Sequence, residues 1–85
     1  MAYNIVFTDE ALKNLDNMDK TAIDRIIKKL KWFVKQEKLL DFAKRLEYDA
    51  IGQYRLRIGD YRVVFDNEKE NIIILRIGHR SSIYK

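Results

Sequence analysis

Read for its alternation of apolar and polar positions, the chain divides into a short strand, two helices and a run of strands. Tyr3-Asn4-Ile5-Val6-Phe7 alternates loosely in β-forming residues and predicts a strand. Thr8 is placed to cap a helix opening Asp9-Glu10-Ala11-Leu12, with acids in the first turn where the helix dipole favours them. Asn14 to Asn17 reads as a break, and Asp16 or Asp19 as the cap of a longer helix. Its apolar positions, Ile23, Ile26, Ile27, Leu30, Phe33 and Val34, recur at i, i+3, i+4 and i+7 and form one stripe. With no Gly or Pro to stop it, this helix is expected to run to about Lys38. Between Leu39 and Gly52 the pattern blurs, and a helical turn over Asp41 to Leu46 followed by a loop fits best.

From Gln53 the period changes to two. Tyr54, Leu56 and Ile58 alternate with Arg55 and Arg57. Gly59-Asp60, with Gly first, suits a type II′ hairpin turn, and Tyr61 to Asp66 returns. Asn67 to Glu70 is a polar turn, and Asn71 to Ile77 contains the run Ile72-Ile73-Ile74-Leu75 expected of a strand covered on both faces. Gly78 to Ser82 reads as a loop, and Ile83-Tyr84-Lys85 closes the sequence. The expectation is an α+β fold: an N-terminal strand and two helices packed on one face of a small antiparallel β-sheet, one domain over residues 1–85. The opposite face of that sheet is left for something else.

The hairpin turn sets a register in which Ile58 faces Tyr61, Arg57 faces Arg62, Leu56 faces Val63, Arg55 faces Val64 and Tyr54 faces Phe65. Facing residues share a side of the sheet, so the apolar set meets the helix stripe while Arg55, Arg57 and Arg62 lie on the far side with Val64. Arg57 opposite Arg62 is a like-charge pair that costs stability on an unliganded sheet. No acid of the hairpin falls on that side, since Asp60 is in the turn and Asp66 lies past the last pair. Three fixed guanidinium forks then suit a polyanion such as a phosphodiester chain. The alternative is a solvated face neutralised by acids of the preceding loop, Asp41, Glu47 and Asp49.

Composition sharpens this. The 85 residues carry 17 Lys or Arg against 13 Asp or Glu, a net charge of +4, which leans toward anionic partners. The bias concentrates at the end: Arg76, Arg80 and Lys85 follow Glu70 with no further acid, and His79, Arg80 and Tyr84 lie just past a central strand. The absence of Cys excludes disulfides, thiolate zinc sites and thiol catalysis, and one His argues against a His-based metal centre. No carboxylate pair stands at the strand ends as a two-metal nuclease requires, so neither metal nor cofactor is expected. No apolar run approaches the ~20 residues that span a bilayer, and Met1 to Asp9 lacks the features of a leader; a cytoplasmic protein is expected.

Tyr54-Arg55-Leu56-Arg57-Ile58-Gly59-Asp60-Tyr61-Arg62-Val63-Val64-Phe65, followed by Leu75-Arg76-Ile77-Gly78-His79-Arg80-Ser81-Ser82-Ile83-Tyr84, strongly resembles the RelE/ParE toxin superfamily of toxin–antitoxin systems. The strand and two helices before it agree in order, so the resemblance covers essentially the whole chain. It implies a small α+β fold close to that of microbial ribonucleases. RelE-like members enter the ribosomal A site and cut the bound mRNA, whereas ParE-like members poison DNA gyrase. By matching position, Arg55 and Arg57 fall where RelE-like enzymes carry basic residues on the hairpin. Arg62 falls on the arginine of the return strand, Arg80 on that of the loop after the last strand, and Tyr84 on the C-terminal tyrosine. The filled set favours the mRNA-cleaving branch. Two departures stand against the pattern: some RelE enzymes have lysine where Arg55 and Arg57 stand, and a C-terminal helix of longer members has no counterpart.

The chemistry this implies is attack of the substrate's own 2′-OH on the adjacent phosphate, without a metal, leaving a 2′,3′-cyclic phosphate and a 5′-OH. Arg62 and Arg80 are the candidates to stabilise charge on the phosphoryl oxygens, and His79 and Tyr84 the candidate acid and base. Arg55, Arg57, Arg76 and Lys85 would hold the RNA backbone. The resemblance further implies a RelB-like antitoxin that shields the site, alongside ribosome and mRNA as targets. A gyrase inhibitor and an inactive nucleic-acid-binding relative are the competing readings. Trp32 is expected opposite the apolar stripe, among Arg25, Lys28 and Lys35, either packed under lysine stems or available to a partner.

Overall fold

The computed structural model describes residues 3–47 and 51–83. Strand β1 (Asn4–Phe7) leads into α1 (Asp9–Asp16) and α2 (Lys20–Phe33). A 3₁₀ turn (Leu39–Phe42) and the two-residue strand β2 (Lys44–Arg45) precede β3 (Tyr54–Ile58), β4 (Tyr61–Glu68) and β5 (Asn71–His79). The strands form one sheet in the order β1-β5-β4-β3-β2. The sheet is mixed, because β1 pairs parallel to β5 while the other neighbours are antiparallel.

The helices start where their caps dictate. Thr8 Oγ1 accepts from the Ala11 N–H at 3.2 Å, and Asp19 Oδ1 from the Ala22 N–H at 2.8 Å. The first helix runs through Asn14, where a break was expected. The Asn14 side chain does not compete with its own backbone; its Oδ1 accepts from the Ile77 N–H of β5 at 2.9 Å. The second helix stops at Phe33, short of Lys38, and the chain tightens into i→i+3 bonds. The Val34 carbonyl, which a longer helix would use, accepts from the Tyr3 N–H at 3.0 Å.

The core lies between helices and sheet. Ala11, Leu15, Ile26, Leu30 and Phe33 pack on Leu56, Ile58, Val63, Phe65, Ile72, Ile74 and Ile77. Phe65 is fully buried, edge-to-face with Phe33 and stacked on Tyr54, both at 5.5 Å between centroids. Gly59 opens the β3–β4 turn at φ +58 while Asp60 keeps a negative φ, as a type II′ turn requires. The β4–β5 turn is narrower than expected: only Lys69 and Glu70 turn, with Lys69 left-handed at φ 55, and Asn67 and Glu68 pair with Ile72 and Asn71.

Two further expectations are corrected. The stretch before β3 is a 3₁₀ turn and then a short edge strand, not a helical turn reaching Leu46. Gly78 and His79 are not loop; they continue β5 opposite Arg62 and Tyr61. Gly78 is needed because Ile83 folds back over it, and a Cβ there would lie 3.0 Å from Ile83 Cδ1. Among the described residues no helix is long and apolar enough to cross a membrane.

Candidate functional site

The hairpin register is the expected one at all of its positions, from Tyr54↔Phe65 to Ile58↔Tyr61. Combined with the neighbouring ladders it lines up side chains across the sheet face away from the helices. One row runs Lys44, Arg55, Val64, Arg76, and the next runs Arg57, Arg62, Gly78. Arg80 follows: its backbone N–H donates to the Asp60 carbonyl at 2.8 Å, extending the ladder one residue and setting it beside the turn. The topology thus gathers basic residues from β2, β3, β4, β5 and the following turn onto one surface.

These cations are not equally free. Arg57 is exposed and Arg55 half-buried. Arg62 is only 9% exposed, with Nη1 donating to the Gly59 carbonyl at 3.1 Å and the Tyr61 carbonyl at 2.9 Å. The expectation that residues 55, 57 and 62 project together into solvent is therefore corrected: Arg62 is tied down at the turn. Arg80 is open, its Nε 3.8 Å from Asp60 Oδ1, a long and exposed link of little energetic weight. Arg76 Nη2 stands 3.5 Å from Glu10 Oε1, and its Nη1 is 3.4 Å from the Ile83 carbonyl.

The far face is also less bare than the sequence suggests. Gly52 lies against it so closely that a Cβ would come within 2.6 Å of Val64 Cγ1 and 2.7 Å of Leu75 Cδ1. Val64 is fully buried and Ile83 3% exposed, so the chain itself closes part of this surface. Asp66 does share the face, opposite Ile73, but its Oδ1 is engaged by the Gln53 N–H at 2.9 Å. The loop acids Asp41 and Glu47 make no ion pair with a described residue, and Asp49 lies outside the described residues. Glu10, the acid that stands beside Arg76, comes from α1, where no local signal announced it.

His79 is not brought to this face. It pairs with Tyr61, and the pleat turns both toward the helix side, with the rings edge-to-face at 5.9 Å. Its Nδ1 accepts from the Ser81 N–H at 3.1 Å and stands 2.8 Å from the Ser81 hydroxyl. The grouping of His79 with Arg62 fails because β5 does not end at Ile77. Tyr84 and Lys85 lie outside the described residues. Trp32 is 40% exposed, edge-to-face with Phe42 at 5.0 Å and under Lys29 Nζ at 4.1 Å. Lys44 went unnoticed in the sequence because a two-residue strand has no period to read. Among the described residues no three His, Asp or Glu side chains come together to hold a metal ion.

A family model described as "ParE toxin of type II toxin-antitoxin system, parDE" matches residues 5–84. The chain belongs to the RelE/ParE toxin superfamily. Among curated proteins, this toxin is 28% identical to Toxin RelG of Mycobacterium tuberculosis over 87 residues, covering 100% of this chain and 99% of the relative. Among solved structures it is similar to a chain of the M. tuberculosis RelBE2 toxin–antitoxin complex, with 25% identity, TM-score 0.70, and 94% and 100% coverage. The RelB–RelE complex of Methanococcus jannaschii gives 25% identity, TM-score 0.71, and 93% and 94% coverage. The fold class implied by the resemblance is thus the one found, and the protein is a toxin of the type II toxin–antitoxin class.

Proposed function

We propose that this toxin is a ribosome-dependent mRNA endoribonuclease that inhibits translation in the cytoplasm and is held in check by a RelB-like antitoxin. The observation that carries the reading is the row of basic residues on the sheet face away from the helices: Arg55, Arg57, Arg62 and Arg76, with Arg80 at its end. Arg57, exposed and facing Arg62 on the neighbouring strand, is placed to offer its guanidinium fork to a phosphate on this face. The antitoxin is supported by the relatives, whose structures are RelB–RelE complexes.

In the proposed reaction the 2′-oxygen bonds to phosphorus, the P–O5′ bond breaks, a base takes the 2′-OH proton and an acid protonates the leaving 5′-oxygen. Arg80, open to solvent, and Arg62, held in one orientation by two carbonyls, would stabilise the charge that grows on the phosphoryl oxygens. Arg55, Arg57 and Arg76 would hold the backbone on either side, with Lys85 extending the contact. Tyr84 is the acid or base candidate that the resemblance supplies, while His79, on the other side of the pleat, is left out of this chemistry. With no strong general base among these groups, the ribosome would supply the reactive pose of the mRNA.

Mapping mRNA 5′ ends after induction tests the reading, with Arg80→Ala and Tyr84→Phe as controls. New 5′-OH ends that both variants lose are expected. A second reading, inhibition of DNA gyrase, is favoured by the description of the matching family model. Intact mRNA together with broken DNA would replace the first reading with the second.

A further inference from the structure

Around the end of β3 from the proposed cleavage face lies a second basic surface. Arg25, Lys28, Lys29 and Trp32 recur on α2 at the i, i+3, i+4, i+7 spacing of a single helix face. Facing them across a groove of about 490 Å³ are Arg57, Ile58 and Gly59. No acid lines the groove, and none of its four cations makes an ion pair with a described residue. Arg25 and Lys29, one helical turn apart, are like charges on the same helix face and repel each other. The Arg25 guanidinium reaches over the turn at Gly59, where a Cβ would lie 2.7 Å from Nη2. At the mouth Trp32 stays 40% exposed, braced edge-on by Phe42, itself 51% exposed.

We propose that this groove binds a single-stranded segment of RNA, its phosphates along Arg25, Lys28, Lys29 and Arg57 and an unpaired base on Trp32. A cation track beside an aromatic platform is the combination that holds single strands, the track for the backbone and the ring for a base. A docked peptide helix would instead need a row of apolar anchors. Here the apolar lining is Trp32 and Ile58, and Ile58 is 6% exposed. Arg57 belongs to both surfaces, so the groove prolongs the cleavage face around the sheet end. The inference rests on RNA being the ligand of that face, but it concerns binding and is measured without cleavage.

Trp32 is the sole tryptophan of the sequence and therefore reports on its own groove. The probe is a short 2′-O-methylated oligoribonucleotide, which 2′-OH chemistry cannot cut, titrated against the full chain. A saturable change in Trp32 fluorescence is expected. With four phosphate contacts at a slope of about 0.7 each, affinity should fall about 50-fold between about 50 and 200 mM salt. Arg25→Gln/Lys28→Gln, which leaves Lys29 over the indole, should reduce that dependence to about 7-fold while circular dichroism stays unchanged. Arg80→Ala should retain the fluorescence response. An unresponsive Trp32, or an unaltered salt slope in the double variant, overturns the proposal. A stronger response to poly-glutamate than to the oligonucleotide also overturns it, and assigns the groove to an acidic peptide. If the response is as expected but mRNA stays intact in cells, the cleavage reading fails while the groove stands. Cleavage with a silent Trp32 gives the reverse.

Discussion

Replacing Arg57 by Gln should stabilise the fold while weakening the toxin. Arg57 is exposed and faces Arg62 directly across the β3–β4 ladder, in a row that continues to Gly78 on β5. Like charges on facing cross-strand residues typically cost roughly 0.2–1 kcal/mol, a range that includes the about 0.7 kcal/mol of any two unit charges about 6 Å apart in water. Gln is shorter but stays polar, and it removes the charge. For a domain of this size the gain corresponds to a rise in Tm of about 3–6 °C. Because Arg57 is exposed while Arg62 is largely buried, the repulsion should weaken without vanishing in about 1 M salt, where screening acts within roughly 3 Å. The assay is thermal and urea unfolding of wild type and variant at low and high salt, alongside growth arrest on induction. The expected pattern is a gain in stability larger at low salt than at high, together with milder arrest. No gain at low salt, or an equal gain at both, would show that Arg57 and Arg62 do not oppose each other and would remove the electrostatic reason for a polyanion site.

Other substitutions test the fold beneath the site. Phe65→Ala removes a fully buried ring between Phe33 and Tyr54 and should cost about 3–5 kcal/mol, a large part of the roughly 4–13 kcal/mol available to such a domain; a urea midpoint close to wild type would contradict the packing described. Gly59→Ala forces a side chain into φ +58 and against Arg25, and should cost about 1–2 kcal/mol by the same measurement. Asn14→Ala strips the Ile77 N–H of its acceptor, and should cost about 1–3 kcal/mol with faster hydrogen exchange at that amide; unchanged exchange would deny the bond its role in seating α1 on β5.

How far the site could be read in advance depended on the range of each interaction. The hairpin was legible because a Gly-Asp turn sets the pairing of its flanks locally, so Arg57 opposite Arg62 followed from the segment Tyr54 to Phe65 alone. The parallel seam of β1 on β5 was not, since Asn4↔Asn71 joins distant parts of the chain and neither segment carries a mark of the other. Gly78 misled because glycine after an apolar run reads as a loop, whereas here it makes room for Ile83 within a strand. That one misreading displaced His79, because a strand that continues alternates its faces and a loop does not. The burial of Arg62 was hidden for a related reason. Alternation says which way a side chain points, and says nothing of turns that later fold across it.

The placement of β5 has a consequence for the order in which the molecule can assemble. It is the last of the described strands to be synthesised, yet it occupies the position between β1 and β4. Until residues 71–79 have emerged, β1 has no neighbour to hydrogen-bond, α1 lacks the surface it packs on, and the loop between β1 and β5 stays open. A nascent copy therefore carries an incomplete sheet until β5 has emerged, and the sheet is then completed in a single closing step.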